Sequence, residues 1–137
     1  MIILDTNVIS EMTRPDPSDE VKDWFDREEN LYTTAITQAE MFYGLERMPK
    51  GRRRDELFER LAEMFNEVFI GRILSFDSEA AVCFAKVAAG RERLGRPIKE
   101  FDAQIAAIAR SRGAAVATRN VGDFEHCGIQ VIDPWTA

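Results

Sequence analysis

The chain alternates short apolar runs with longer stretches in which apolar residues recur every three or four positions. Short continuous apolar runs are typical of strands in a parallel sheet that is covered on both faces. This pattern predicts five strands, in the segments 2–4, 31–37, 72–77, 114–119 and 129–133.

The stretches with the longer repeat predict amphipathic helices between these strands. One helix begins where Pro17 suits a first turn, with Asp16 or Ser18 near the cap. The remaining predicted helices run from Thr37 to the break at Pro49 and Gly51, over 52–69, from Ser78 to about Leu94, and over 100–112. Glycines at 71, 95 and 113 end the last three of these helices.

Alternating strands and helices indicate an α/β fold built on a central, mainly parallel sheet. The two helices within 37–69 have no strand between them, so we expect a helical hairpin beside the sheet. A length of 137 residues favours one domain that covers residues 1–137.

Four acidic residues fall where predicted strands end or the following helices begin. Asp5 follows the first strand, Glu40 and Asp102 lie near helix starts, and Asp123 follows the strand 114–119 together with Asn120. In an open parallel sheet these positions share the edge at which ligands bind. We therefore expect the acids to converge on one pocket.

Each acid also has a structural explanation that the sequence leaves open. Asp5 and Asp123 could accept hydrogen bonds in turns, and Glu40 could complete a capping box with Thr37. Asp102 could interact with a helix dipole. Its position three residues before the apolar Ile105, however, places it on the buried side of its helix, where a carboxylate needs a partner.

Several carboxylates in one pocket repel each other unless protons or cations compensate their charge. Oxygen ligands select hard divalent cations, Mg²⁺ or alternatively Mn²⁺. His126 beside Cys127 supplies two zinc ligands, fewer than the four of a structural zinc site. The sequence therefore favours a magnesium site formed by the acids.

The formal net charge is −6, which argues against a protein that coats nucleic acid through basic surfaces. Two basic runs stand out against this background, one at 50–54 and one formed by Arg91, Arg93, Arg96 and Lys99. Each run could be a solvated helix end or a contact for RNA phosphates. We favour the second run, and within it Arg96 and Lys99, because it leads directly to Asp102.

The cellular location is indicated by two features of the sequence. The chain has two cysteines, and it contains no apolar run of the roughly 20 residues that span a membrane. Both features are consistent with a soluble protein in a reducing compartment. We expect a cytoplasmic protein that does not engage a membrane.

The segments "MIILDTNVISE", "TTAITQAEMFYGL", "FDAQIAAIA" and "VATRNVGDF", in this order, resemble the PIN-domain ribonucleases. More narrowly, they are similar to the VapC-type toxins of toxin–antitoxin pairs, close to the FitB-like branch. The resemblance extends over essentially the whole chain.

The resemblance implies a PIN-like three-layer fold and an endoribonuclease that depends on Mg²⁺ or Mn²⁺. Asp5, Glu40 and Asp102 match the acids that are most regular in the family, and Asp123 is our choice for the fourth catalytic and metal-binding acid. Some FitB-like relatives carry aspartate where Asn120 stands here. Metal-activated water would attack the phosphorus of RNA, and the supporting hydroxyls of Thr6 and Thr118, with Asn120, would orient the acids.

The family also implies a cognate antitoxin and a homodimer or a larger toxin–antitoxin assembly. The antitoxin would cover an apolar groove and place a basic side chain in the acidic pocket. Candidate groove residues, which an ordinary core would explain equally well, are Met41, Phe42, Leu45, Phe58 and Met64.

Two other functions compete with the nuclease. A phosphatase could use Asp5 as a nucleophile, but such enzymes usually need a second aspartate where Asn7 stands. A weakly catalytic or non-catalytic PIN-like module could instead bind RNA or an antitoxin, because Asn120 brings no charge to the pocket.

Overall fold

The computed structural model describes all 137 residues, which form five strands and six α-helices. The strands are β1 (Ile2–Leu4), β2 (Leu31–Thr34), β3 (Ile73–Leu74), β4 (Ala115–Ala117) and β5 (Val131–Ile132). The helices are α1 (Thr6–Met12), α2 (Asp19–Arg27), α3 (Ala35–Glu46), α4 (Arg52–Glu63), α5 (Ser78–Arg93) and α6 (Glu100–Arg112). A π-helical turn, Met64–Val68, continues α4, and a 3₁₀ turn, Val121–Phe124, follows β4. None of the helices combines the length and apolarity that crossing a bilayer requires.

All five strands are parallel and lie in the order β3-β2-β1-β4-β5. This arrangement confirms the predicted α/β fold with a parallel central sheet. The order changes direction at β1, which pairs with β2 on one side and with β4 on the other. Such a switch point opens a crevice beyond the carboxyl ends of the strands, where ligands bind in open α/β sheets.

Two apolar cores cover the two faces of the sheet, which gives the three layers. Ile3 and Val116 belong to one core, whereas their neighbours Leu4 and Ala117 belong to the other. This separation follows from the strand geometry, because successive side chains point to opposite faces. The central strands therefore need apolar residues at every position, which explains their uninterrupted apolar runs.

Helices α3 and α4 form the predicted hairpin. The ring of Phe42 on α3 contacts Phe58 on α4 at 6.3 Å and Phe65 in the π-helical turn at 5.8 Å between centroids. Of the suggested groove residues, Leu45 and Met64 are buried in the core. Phe58 stays 52% exposed, and it is the member of that set with an open surface.

The starts of two helices differ from the predicted ones. Thr34, not Thr37, caps α3, because its hydroxyl oxygen accepts a hydrogen bond from the Thr37 amide at 3.1 Å. Asp77, not Ser78, caps α5 by accepting from the Ala80 amide at 2.9 Å. In both cases the residue on the strand side already has the extended backbone that a cap requires.

Helix α1 is an element that the sequence analysis did not assign. It begins directly after Asp5 and contains seven residues, of which Val8 and Ile9 are buried in the core. Two helical turns hold too few apolar positions to show a repeat. The helix matters for the site because it brings Thr6 and Asn7 beside Asp5.

Candidate active site

A cleft of about 520 Å³ opens at the switch point of the sheet. It is lined by Asp5, Thr6, Asn7, Ser10, Glu40, Lys99, Glu100, Phe101, Asp102, Asn120 and Asp123. The fold thus brings all four predicted acids to one place from four separate segments of the chain. Lys99 and Asn120 also lie there, whereas Arg96 is not among the lining residues.

Asp5 is 6% exposed and uses its two carboxylate oxygens for different contacts. Oδ1 accepts the Thr6 amide at 2.8 Å and thereby caps α1. Oδ2 accepts the hydroxyl of Thr118 at 2.9 Å and the side-chain amide of Asn7 at 3.3 Å. Asp5 thus accepts local hydrogen bonds, as its structural explanation expected, and also lines the cleft, where a carboxylate retains further acceptor positions for a ligand.

Thr118 and Asn7 connect β4 to α1 beneath the cleft. The Thr118 hydroxyl, which donates to Asp5, accepts the Asn7 side-chain amide at 3.2 Å and the Asn120 backbone amide at 3.0 Å. Asn7 in turn accepts the Arg119 amide at 3.2 Å through its Oδ1. The sequence analysis assigned no such role to Asn7. Asn7 follows Asp5 by two residues, but this spacing brings the two side chains together only because α1 begins at Thr6. Since the sequence did not reveal α1, it did not reveal this contact.

Glu40 is held by Thr6 rather than by the start of its own helix. The Thr6 hydroxyl lies 3.0 Å from Glu40 Oε1 and 3.3 Å from the hydroxyl of Thr37. Because α3 begins at Ala35, Glu40 falls in the second turn, so the capping-box interpretation is wrong. Thr6 therefore occupies the orienting position predicted for it.

Asp102 lies in the first turn of α6 and is half-buried. Burial, followed by the negative charges of Asp5 and Asp123, raises the pKa of the Asp102 carboxyl to about 6. The charges of Lys99 and Arg91 act in the opposite direction. The charge of Asp123, which lines the same cleft, therefore acts on Asp102.

The pKa values of two more acids in the cleft, Asp5 and Glu40, are also raised. Burial raises the pKa of Asp5 above its ordinary value, against hydrogen bonds from Thr118 and Thr6, and the charges of Glu40 and Asp123 raise it further. Burial likewise raises the pKa of Glu40, with a smaller contribution from the charge of Asp102. Clustered carboxyls with raised pKa values are typical of functional sites.

Arg91 was grouped with the exposed basic run, and this interpretation is wrong. Its side chain is buried, and Nη1 donates to the backbone carbonyls of Asp123 at 2.9 Å and Glu125 at 3.0 Å. Its Nε donates to the carbonyl of Arg96 at 2.7 Å. Arg91 thus ties the segment that carries Asp123 to the loop before α6.

Arg96 and Lys99 have different surroundings. Arg96 is exposed and forms an ion pair with Glu125 at 3.1 Å. Lys99 is exposed at the edge of the cleft, immediately before α6. Of the two predicted RNA contacts, Lys99 therefore lines the cleft together with the acids, and Arg96 does not.

The donor set fits Mg²⁺ or Mn²⁺. The cleft offers carboxylate, amide and hydroxyl oxygens, and its lining contains neither imidazole nor thiol. No three carboxylate, imidazole or thiol side chains lie close enough together to hold one ion, so the four acids do not form a compact three-ligand site. Mg²⁺ usually keeps several of its waters and binds one or two carboxylates directly. Separated carboxylates are compatible with this mode of binding.

An acidic cleft at the switch point of a five-stranded parallel sheet, covered on both faces by helices, defines a PIN-like class of protein. Residues 2–128 match the PIN domain, and the chain belongs to this family. It is similar to the plasmid stability protein StbB of Pseudomonas syringae pv. tomato, at 45% identity over 100% of both chains.

Two further relatives cover nearly the whole chain. The VapC ribonuclease Y4jK of Sinorhizobium fredii is 42% identical over 98% of each chain. The toxin FitB of Neisseria gonorrhoeae is 39% identical over 98% of this chain and 99% of its own. The crystal structure of FitAcB from Neisseria gonorrhoeae contains a chain that superposes with a TM-score of 0.91, at 38% identity and with 100% of both chains covered.

Proposed function

We propose that the chain is a metal-dependent endoribonuclease and the toxin of a toxin–antitoxin pair. The observation that supports the catalytic part most directly is the cleft that gathers Asp5, Glu40, Asp102 and Asp123. The names of the relatives Y4jK and FitB, a ribonuclease and a toxin, support the biological role. We propose the cytoplasm as the place of action, since the substrate would be RNA.

The chain's own residues provide the binding and orientation of the substrate. Lys99 offers a positive charge at the rim of the cleft. The first backbone amides of α6 have no side-chain cap, and free amides at a helix start favour a phosphate. Together they would hold an RNA phosphate beside Asp102.

The acids would hold the cation. Asp5 and Asp102 are the proposed direct ligands, and Glu40 and Asp123 would bind a second ion or the waters around the first. A bound divalent cation would supply the positive charge that activates water and stabilises a phosphodiester transition state. Thr6 and Thr118 would keep the carboxylates of Glu40 and Asp5 in fixed orientations through their hydrogen bonds.

Cleavage of RNA by the Asp5→Asn variant tests the proposal. Asparagine caps helices as well as aspartate does, so we expect the fold to survive. We expect cleavage in Mg²⁺ to fall by at least about 100-fold, since even outer partners of metal sites contribute about 10- to 100-fold.

The matched control is Asp26→Asn, which removes an exposed carboxylate on α2 away from the cleft. This variant should cleave RNA as the wild type does, and EDTA should stop both. Wild-type cleavage that persists in Asp5→Asn, or in EDTA, would rule out the proposed chemistry.

We further propose a cognate antitoxin and a homodimer as partners. Exposed apolar residues on the α3–α4 hairpin, among them Phe58 and Tyr43, offer a surface for one of them. Expression of the chain should arrest growth, and co-expression of the product of the adjacent upstream gene should relieve the arrest. Unimpaired growth with soluble, folded protein would argue against the toxin role.

A further inference from the structure

A second cleft of about 470 Å³ adjoins the catalytic cleft, and Ser10 lines both. The charged residues of the second cleft are three arginines, Arg14, Arg53 and Arg60, and one glutamate, Glu56. This concentration of arginine is unexpected in a chain with a net charge of −6.

Helix α1 connects the two clefts. Asp5 caps its start, Thr6 and Ser10 face the catalytic cleft, and Ser10 and Arg14 face the second cleft. Seven residues correspond to a length of about 10 Å. A strand that leaves the acids along Thr6 and Ser10 would therefore reach the arginine cleft within this short distance.

Arg14 is paired with Glu11 at 3.3 Å, whereas the other two arginines of the cleft have no acidic partner. Arg53 and Arg60 form no ion pair, and the Nε of Arg60 is buried without a hydrogen-bond partner. Glu56 is already paired with Arg52 at 3.1 Å, outside the cleft. Arg53 and Arg60 thus retain guanidinium groups without an ion pair, and the planar fork of such a group matches phosphate oxygens.

We propose that the second cleft binds backbone phosphates of the RNA strand as it leaves the catalytic cleft, with Arg53 and Arg60 as the phosphate ligands. This inference rests on the proposed function. An acidic protein segment would also suit the charge, but the shared Ser10 and the polar side of α1 make the cleft continuous with the site where the substrate would react.

The salt dependence of RNA binding tests the inference. Oligouridylate binding is measured by fluorescence anisotropy between about 50 and 200 mM NaCl in the Asp5→Asn background, which blocks turnover. Each phosphate contact contributes about 0.7 to the slope of log affinity against log salt for single strands. The double variant R53Q/R60Q should therefore lower the slope by about 1.4 and weaken binding about 10-fold at the lower salt concentration.

The control R27Q/R112Q removes the same charge at the opposite edge of the sheet, where α2 and α6 end. It should leave the slope unchanged. The single variant R53Q changes an exposed position and should lower the slope by about 0.7. It tests the inference even if the change at the half-buried Arg60 impairs folding.

Equal slopes for R53Q/R60Q and the control would overturn the inference. The inference would also be overturned if R53Q/R60Q lost antitoxin binding while its RNA affinity stayed unchanged. Cleavage by the chain with wild-type Asp5 separates this failure from that of the proposed function. With a correct inference, R53Q/R60Q raises KM for RNA at an unchanged kcat. If the wild type cleaves RNA and R53Q/R60Q leaves KM unchanged, the arginine cleft alone is excluded as an RNA site.

Discussion

Asp5 serves the fold and the site with different oxygens, and this division explains why a carboxylate stands at the end of a buried strand. One oxygen caps α1, and the other is held by Thr118 and Asn7. The sequence predicted the position of Asp5 because a strand end is a local feature. The contacts with Thr118 could not be predicted, since they join residues 113 positions apart.

Thr118→Val should impair catalysis more than it impairs folding. Valine has nearly the same shape but leaves Asp5 without the hydrogen bond that the hydroxyl donates at 2.9 Å. Cleavage of RNA should fall by about 10- to 100-fold, measured as kcat/KM. Thr33→Val is the control, because the buried Thr33 hydroxyl has no hydrogen-bond partner. Equal rates for the two variants would contradict the orienting role of Thr118.

The raised pKa of Asp102 predicts a pH-dependent stability in EDTA. The pKa is about 6 in the folded state against an ordinary 3.8, so the folded state binds more protons between these values and stability falls as pH rises. Asp102→Asn removes this effect. After allowance for solvent screening, the variant should gain about 1 kcal/mol in free energy of unfolding over the wild type between about pH 4.5 and 7.5.

Urea unfolding at the two pH values measures this difference, with Asp26→Asn as the exposed control. A gain that is the same for both variants would show that the folded protein does not raise the pKa of Asp102.

Among the helices, those with clear end signals were predicted best. Helix α6 matches the predicted range, and Gly95 and Gly113 follow α5 and α6 with positive φ angles of 71° and 63°. The short helix α1 was missed, and the two-residue strands β3 and β5 were predicted too long. The ends of these strands are set by pairing with neighbouring strands, and α1 is too short to show a helical repeat.

Arg91 connects three parts of the molecule: helix α5, the loop before α6 and the segment with Asp123. Sequence alone suggested a surface cation, because burial of one arginine on a helix is decided by the elements that pack over it. Arg91→Ala should lower the free energy of unfolding by about 3 kcal/mol, since three backbone carbonyls lose the buried guanidinium that donates to them.

Urea unfolding of Arg91→Ala tests this role, with Arg93→Ala on the exposed side of α5 as the control. The control should change stability by less than about 0.5 kcal/mol. A loss no greater than that of the control would show that Arg91 does not hold these segments together.

In the whole molecule, parallel strands deliver four distant acids to one cleft. This convergence was predictable, since strand ends in a parallel sheet share an edge. The distances between the acids could not be predicted, because side-chain positions depend on contacts between distant residues. Examples are the hydrogen bonds of Thr6 with Glu40 and of Arg91 with the carbonyl of Asp123. The acids line the cleft without forming a compact three-ligand cluster.

Calorimetric titration of the protein with Mn²⁺ examines this account most directly. The account predicts saturable binding to the wild type at neutral pH, its loss in both Asp5→Asn and Asp102→Asn, and its retention in Asp26→Asn. Absence of saturable binding to folded wild-type protein, with RNA affinity retained, would contradict the account and indicate a binding module in place of a nuclease.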